Sequence, residues 1–219
     1  MDPNFWRERW QTRQIGFHQG HPHSSMTKFG VRLLQRKQPR VLVPLCGKSQ
    51  DLLWLAHGGA LVTGAELVAD AVEEFFEEVG AEPLHQMHGT LPVLSDEELG
   101  VRVFVGDFFE VTPEATGSVT GIYDRGALVA LPPELRQRYV EHLLRFLPPG
   151  GGLLLVSLVY DQTMMNGPPF SVPREVVHGL FSSCSKIELL SSESIIETEV
   201  HFRDRGLSDL WEEVYFIER

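Results

Sequence analysis

Arg40-Val41-Leu42-Val43-Pro44-Leu45-Cys46-Gly47-Lys48-Ser49-Gln50-Asp51-Leu52-Leu53-Trp54-Leu55-Ala56 is the stretch whose reading decides the fold. Its first seven residues form a short apolar run that breaks at Gly47, as a buried strand does on entering a loop. Ser49 stands where a helix N-cap belongs, Asp51 falls in the first turn, and Leu52, Leu53, Leu55 and Ala56 are apolar. Gly58-Gly59 then stops the helix. A strand, a tight loop and a helix in that order are the opening of a βαβ unit.

The pattern continues outward. Ala60–Leu67 reads as a second strand. Val68, Ala71, Val72, Phe75, Phe76 and Val79 then recur at helical spacing, with Asp70, Glu73, Glu74, Glu77 and Glu78 opposite and Gly80 at the C-terminal cap position. A short helix is expected near Ser95–Leu99, and strands at Val101–Val105 and Val119–Asp124. Pro132-Pro133 opens a helix with Leu135, Tyr139, Leu143 and Phe146/Leu147 on one face, and Leu153–Tyr160 is a strand buried on both sides. A helix over 173–181 and late strands near 186–202, either continuous or interrupted, and 210–217 complete the chain. Strands alternating with helices predict an α/β, doubly wound, mostly parallel sheet, and the two late strands an antiparallel edge hairpin. Residues 1–219 are expected to form one domain. Residues 40–219 are its core, and 1–39 stand outside the alternation with a helix carrying Phe5, Trp6 and Trp10, a turn at Gly16-Phe17-His18, and a second helix near 26–36.

Composition narrows the function. The 219 residues carry 30 Asp+Glu against 19 Lys+Arg, a net charge of −11, which argues against binding to nucleic acid, since that affinity rests on Lys and Arg neutralising phosphates. Cys46 and Cys184 are too few for a disulfide scaffold and fit a reducing, cytoplasmic setting. No apolar run reaches the roughly 20 residues of a membrane helix, and the first residues lack a signal-peptide layout. The charge is uneven: residues 1–40 hold eight Lys/Arg against Asp2 and Glu8, while residues 66–110 hold twelve Asp/Glu against Arg102 alone. Charge runs of this kind are ordinarily solvated helix faces.

Open α/β sheets bind ligands at the carboxyl ends of their strands. Those ends carry Pro44–Ser49, Glu66, Gly106–Phe109 and Asp124–Gly126. Glu66 lies 19 residues after Gly47, where a carboxylate can grip ribose hydroxyls. Asp107 can accept a hydrogen bond from the amino edge of a base, with Phe108 stacked beside it. The loop Pro44–Ser49 has one glycine, so it lacks the G-x-G-x-x-G of a dinucleotide site, and Gly47-Lys48-Ser49 matches only the tail of a Walker loop. Such a loop suits an adenosine bearing an amino acid better than a pyrophosphate.

The residues themselves resemble a known family. The string from Val41 to Ala56 looks like the first motif of the thiopurine S-methyltransferases. The similarity extends through Trp6-x-x-x-Trp10, Gly16-Phe17-His18, Gly64-x-Glu66-Leu67, Gly106-Asp107-Phe108-Phe109, Tyr123–Pro132 and Gly167-Pro168-Pro169-Phe170-x-Val172. Val68-Ala69 departs from the family, which usually has Ser there, and the C-terminal arginines match ambiguously as Arg203 or Arg205. The resemblance implies a class I methyltransferase (Rossmann-like) fold, S-adenosyl-L-methionine as donor and S-adenosyl-L-homocysteine as product, and an aromatic or heterocyclic thiol as acceptor. It implies cofactor contacts at Trp10, Leu45, Gly47, Glu66, Asp107, Phe108 and Arg125, with residues 1–39 as a helical lid. Phe17, His18 and Arg203 are expected on the acceptor side, and Arg125 and His18 as the groups nearest the chemistry. The partner is then a small-molecule thiol or other soft nucleophile, and the enzyme a monomer.

Halide, thiocyanate or inorganic selenium or tellurium acceptors are the alternative within the class, and a non-catalytic adenosyl-binding protein the alternative outside it. His18, His21 and His23 lie close in sequence without the thiolates or further imidazoles of a structural zinc site, so no metal is expected. Cys46 is expected to be a small buried filler.

Overall fold

Three short helices precede the first strand in the computed structural model, which describes residues 3–219. These are α1 (Pro3–Gln11), α2 (Ser24–Phe29) and α3 (Val31–Leu34), the second expected helix being divided at Gly30. The alternation from residue 40 follows in β1 (Arg40–Pro44), α4 (Asp51–His57), β2 (Leu61–Glu66) and α5 (Ala69–Glu78). Next come β3 (Leu84–His88), β4 (Leu91–Asp96), β5 (Val101–Val105), a 3-10 turn at Phe108–Glu110, α6 (Pro113–Thr116) and β6 (Gly121–Arg125). The remainder holds α7 (Pro133–Leu144), β7 (Gly152–Val159), α8 (Arg174–Leu180), β8 (Lys186–Ser194), α9 (Val200–Asp204) and β9 (Trp211–Glu218). The chain groups into two compact units, residues up to Tyr123 and residues Asp124–Arg219.

In the first unit the strands lie in the order β3-β4-β5-β2-β1, with the start of β6 beside β1. Val41 pairs with Val62, Val62 with Val101 and Leu42 with Ile122, all in parallel register. These strands are buried on both faces, which explains their near-continuous apolar sequence. α5 buries Ala71, Val72, Phe75 and Phe76, the stripe read from its spacing, and Gly80 takes a positive φ just beyond its end.

One expectation fails here. The segment near Ser95–Leu99 is not a helix: β3 and β4 form an antiparallel hairpin, and Asp96 Oδ1 accepts the Leu99 amide in the turn that follows. The period-2 burial of Leu91 and Val93 holds β4 in place, and every residue of β3 is exposed.

The second unit places β9 between β7 and β8, antiparallel to both, with Leu154 opposite Phe216 and Ile187 opposite Ile217. The expected edge hairpin is therefore present. The late strand expected near Lys186–Phe202, with an interruption allowed within it, ends at Ser194, and residues 200–204 turn into α9. Phe202 from that helix joins a buried cluster of Tyr160, Met165, Ile196, Leu207 and Leu210. On α7 the buried face runs Arg136, Tyr139, Val140 and Leu143, so an arginine stands where the helical stripe was expected to begin with Leu135, itself half-buried. A parallel centre with antiparallel strands outside it is the α/β, doubly wound arrangement, with one hairpin more than expected. No helix among the described residues is long and apolar enough to cross a membrane.

Candidate donor site

The loop after β1 is shaped by left-handed backbone. Leu45 and Gly47 have φ of 48° and 52°, a conformation in which an L side chain is strained. The turn presents the Gly47 amide to Glu66 at the end of β2: Gly47 N donates to Glu66 Oε2 at 2.8 Å, and Val68 N to Glu66 Oε1 at 2.9 Å. Each carboxylate oxygen thus keeps a lone pair for a ligand donor. Glu66 is 7% exposed and has no cation acting on it among the described residues, and burial holds its carboxyl above the ordinary carboxylate range while the amides of Val68, Gly47 and Leu67 work against that rise. Its own carbonyl accepts Gly106 N at 2.8 Å, which ties the end of β5 to the end of β2.

Asp107 follows directly. It is exposed, and its Oδ1 accepts Phe109 N at 3.0 Å, capping the 3-10 turn; Oδ2 makes no hydrogen bond among the described residues. Phe108 is 4% exposed and belongs to the core, while Phe109 is half-buried. Cys46 is buried under the loop, with burial and then the charge of Glu66 raising its thiol well above the usual range, so it packs as an uncharged filler.

The N-terminal segment lies on this loop. Trp10 is 4% exposed and packs with Val68 and Ala71, flanked by Trp6, Ile15 and Leu67. A Cβ placed on Gly47 would stand 3.2 Å from Trp10 Cζ2, so the indole covers the glycine directly. Phe17 is 41% exposed and meets Trp6 and Trp10 edge-on, with ring centroids 5.7 and 5.9 Å away. His18 is half-buried in the turn closed by its amide on Ile15 O. His23 is buried: its amide donates to Asp51 Oδ1 at 2.7 Å, and its Nδ1 accepts Ser25 N at 3.2 Å, which places the ring proton on Nε2. Among the described residues no group of three or more His, Cys, Asp or Glu is arranged to hold a metal.

Charge does more here than solvate a helix face. Arg13 Nη1 lies 2.6 and 2.7 Å from the two oxygens of Glu74, and Lys48 Nζ lies 2.9 Å from Glu74 and 2.6 Å from Glu78. Lys48, in the donor loop, is buried, and burial opposes its charge, but Glu78 and Glu74 outweigh that and keep it cationic. Two of the five acidic residues on this face of α5, Glu74 and Glu78, are therefore engaged. The sequence offered the residues but no sign of the pairing, since the partners stand 26, 30 and 61 residues apart.

The second unit carries the other expected residues. Arg125 is half-buried at the end of β6. Arg203, on α9, is exposed and pairs with Glu197 at 3.3 Å. Asp124 is fully buried, accepting Leu128 N at 3.0 Å and the Tyr139 hydroxyl at 2.7 Å, and burial pushes its carboxyl up to about 6.

The carboxylate of Glu66, the close-packed loop and the open oxygen of Asp107 fit an adenosyl ligand. Ribose supplies two vicinal donors, adenine an amino edge, and no pyrophosphate cradle is needed. Comparison with known proteins agrees. Residues 1–219 match the family described as Thiopurine S-methyltransferase (TPMT). A thiopurine S-methyltransferase of Methylococcus capsulatus is 44% identical over 217 residues, covering 99% of this chain and 97% of the relative. One from Pseudomonas putida is 43% identical over 220 residues with full coverage of both. Among solved structures, a Burkholderia thailandensis 1,6-didemethyltoxoflavin-N1-methyltransferase with bound S-adenosylhomocysteine aligns over 99% of this chain and 86% of its own, with a TM-score of 0.65 at 15% identity, a likeness of fold. Matched along its whole length and at such identity, the chain belongs to the thiopurine S-methyltransferase family.

Proposed function

We propose that this protein transfers the methyl group of S-adenosylmethionine to the sulfur of an aromatic or heterocyclic thiol, the activity for which its relatives are named. The observation that carries the reading is the Glu66 carboxylate, buried, without a counter-cation among the described residues, and held by backbone amides, Gly47 N on one oxygen and Val68 N on the other, with acceptor capacity left for ligand hydroxyls. S-adenosylmethionine supplies, when bound, a methyl carbon on a sulfonium sulfur, displaced in line by the acceptor sulfur.

The chain's own work is binding, orientation and exclusion of water. Glu66 accepts the ribose hydroxyls, and Asp107 Oδ2 accepts the amino edge of the base. Leu45 and Gly47 keep the loop backbone close to the ligand, and Phe108 supports the turn from the core. Trp10 seals the loop and offers a π face to a cation. Arg125 favours the thiolate form of an acceptor by its charge. Phe17 and His18 of the N-terminal segment take the acceptor side, and Arg203, already paired with Glu197, contributes less there than its position in sequence suggests. A thiolate needs no further base, so positioning supplies the rate, on the order of 7–11 kcal/mol in well-oriented reactions.

Titration calorimetry with S-adenosylhomocysteine and transfer of a labelled methyl group to thiophenol test the reading. Wild type binds and methylates, and Glu66→Ala binds roughly 5- to 150-fold more weakly, the equivalent of about 1–3 kcal/mol for a charged hydrogen-bonding group. Absence of binding at millimolar ligand, or an unchanged affinity in the variant, overturns it.

A further inference from the structure

Arg136 breaks three local rules at once. It is 4% exposed, it stands in the first turns of α7 where a cation opposes the helix dipole, and no carboxylate hydrogen-bonds it. Its Nε donates to Leu131 O at 3.0 Å, but Nη2 is buried with no hydrogen-bond partner. The one carboxylate whose charge supports it among the described residues is Glu134, which is exposed. Taking a guanidinium out of water with a free nitrogen costs several kcal/mol, and no hydrogen-bonded carboxylate among the described residues offsets it. Rules broken in this way concentrate at functional sites.

The guanidinium has an aromatic neighbour. Arg136 Cζ lies 5.9 Å from the Phe170 ring centroid, in the Gly167-Pro168-Pro169-Phe170 loop that follows β7. That loop is braced from within. Phe170 N donates to Val129 O at 2.6 Å, Tyr160 Oη to Pro169 O at 2.6 Å, and Gln162 bridges Tyr160 Oη, Met165 O and Ser171 N. The charges of Arg205 and Arg136 both reach the Tyr160 hydroxyl. Arg205 is exposed, whereas Arg203, the other C-terminal candidate, is committed to Glu197. Tyr160 and Phe170 belong to the segment after β7 and Arg136 to the start of α7, the helix that follows β6, on the side of strand ends at which open α/β sheets bind ligands; Arg205 comes from the end of α9. A guanidinium beside an aromatic ring, with a second arginine and a phenol hydroxyl at hand, suits a flat ring bearing negative charge.

We propose that Arg136 is a specificity-determining residue of the acceptor site, its free Nη2 hydrogen-bonding the anionic edge of an aromatic acceptor that lies against Phe170, with Arg205 as the second cation. The proposal rests on the methyltransferase reading above and names the class of acceptor: aromatic thiols carrying a second anionic group, such as a carboxylate or a deprotonated ring nitrogen.

The experiment compares kcat/KM for 4-mercaptobenzoate and for 4-methylthiophenol, alongside S-adenosylhomocysteine affinity and Tm without acceptor. In Arg136→Met the mercaptobenzoate value falls at least tenfold and the methylthiophenol value by less than threefold. Cofactor affinity stays within twofold, and Tm holds or rises because an unpaired buried charge has been removed. Arg205→Gln, at an exposed position that carries no folding burden, gives the same selective loss in smaller measure. An equal loss with both acceptors, or wild-type kcat/KM for mercaptobenzoate in Arg136→Met, overturns the proposal. Failure of the wild-type enzyme to bind S-adenosylhomocysteine or to methylate either thiol overturns the methyltransferase reading instead.

Discussion

At the scale of single residues, two buried carboxylates at strand ends divide the labour. Glu66 is held by amides from the loop after β1 and from just before α5, and each oxygen keeps an acceptor site for the proposed ribose contact. Asp124 spends both oxygens internally, on Leu128 N and Tyr139 Oη, and serves the framework of the second unit. Its pKa of about 6 against an ordinary 3.8 makes a stability statement. Between those values the folded chain holds a proton that the unfolded chain has released, so the stabilisation is complete below about pH 4 and is lost as pH rises through about 6. Asn at 124 can still accept from Leu128 N and can donate to Tyr139 Oη, but it does not titrate. Urea unfolding at pH 4, 5, 6 and 7 should therefore show wild type losing stability relative to Asp124→Asn across that window, by an amount on the order of 3 kcal/mol. Parallel pH profiles for the two proteins would refute the assignment.

At the scale of elements, the β1–loop–α4 unit is where sequence and structure agree most closely, and the reason is physical. A strand buried on both faces must be apolar throughout, and a loop needing two left-handed residues and a close neighbour must place glycine at one of them. Gly47→Ala is accordingly expected to cost about 1–2 kcal/mol of stability from the left-handed backbone alone. A further loss of S-adenosylhomocysteine affinity follows because the new Cβ meets Trp10 Cζ2 at 3.2 Å. In a Trp10→Ala background the steric part disappears, so the alanine at 47 should weaken binding less there; an equal effect in both backgrounds would mean the indole does not press on the loop. Other elements were not legible in this way. β3 is exposed along its whole length, so Leu84 to His88 show no burial period to distinguish a strand from a loop. The stripe of α7 was readable from Tyr139 and Leu143, but the pattern treats a charged residue as outward-facing and so passes over the buried Arg136. Helical spacing identifies a face; it does not say which distant side chain that face meets, and Lys48 with Glu74 and Glu78 was missed for the same reason.

At the scale of the whole molecule, the uneven charge acquires a mechanical role within the first unit. The basic N-terminal residues and the acidic α5 meet at Arg13 and Glu74, and Glu74 is shared with Lys48 of the donor loop. Hydrogen bonding from Arg13, and then Lys48, lowers the Glu74 carboxyl below its ordinary range, although burial works against them. Arg13 stands just past α1 with φ of 57°, a left-handed helix end where glycine is the usual occupant, and its amide closes on Trp10 O. Arginine there accepts backbone strain in a position that brings its side chain onto Glu74. The contact is exposed, with 64% of the Arg13 side chain in solvent, so salt screens it. Arg13→Gly relieves the strain and deletes the ion pair, and the two effects separate in measurement. Tm should hold or rise, while S-adenosylhomocysteine affinity at 20 mM salt should fall severalfold, because Trp10 is then less firmly held over Gly47. Wild-type affinity should itself decline severalfold between 20 and 500 mM salt, and that of Arg13→Gly should barely change. If wild type and variant respond to salt alike, the charge asymmetry has no part in seating the N-terminal segment on the donor loop.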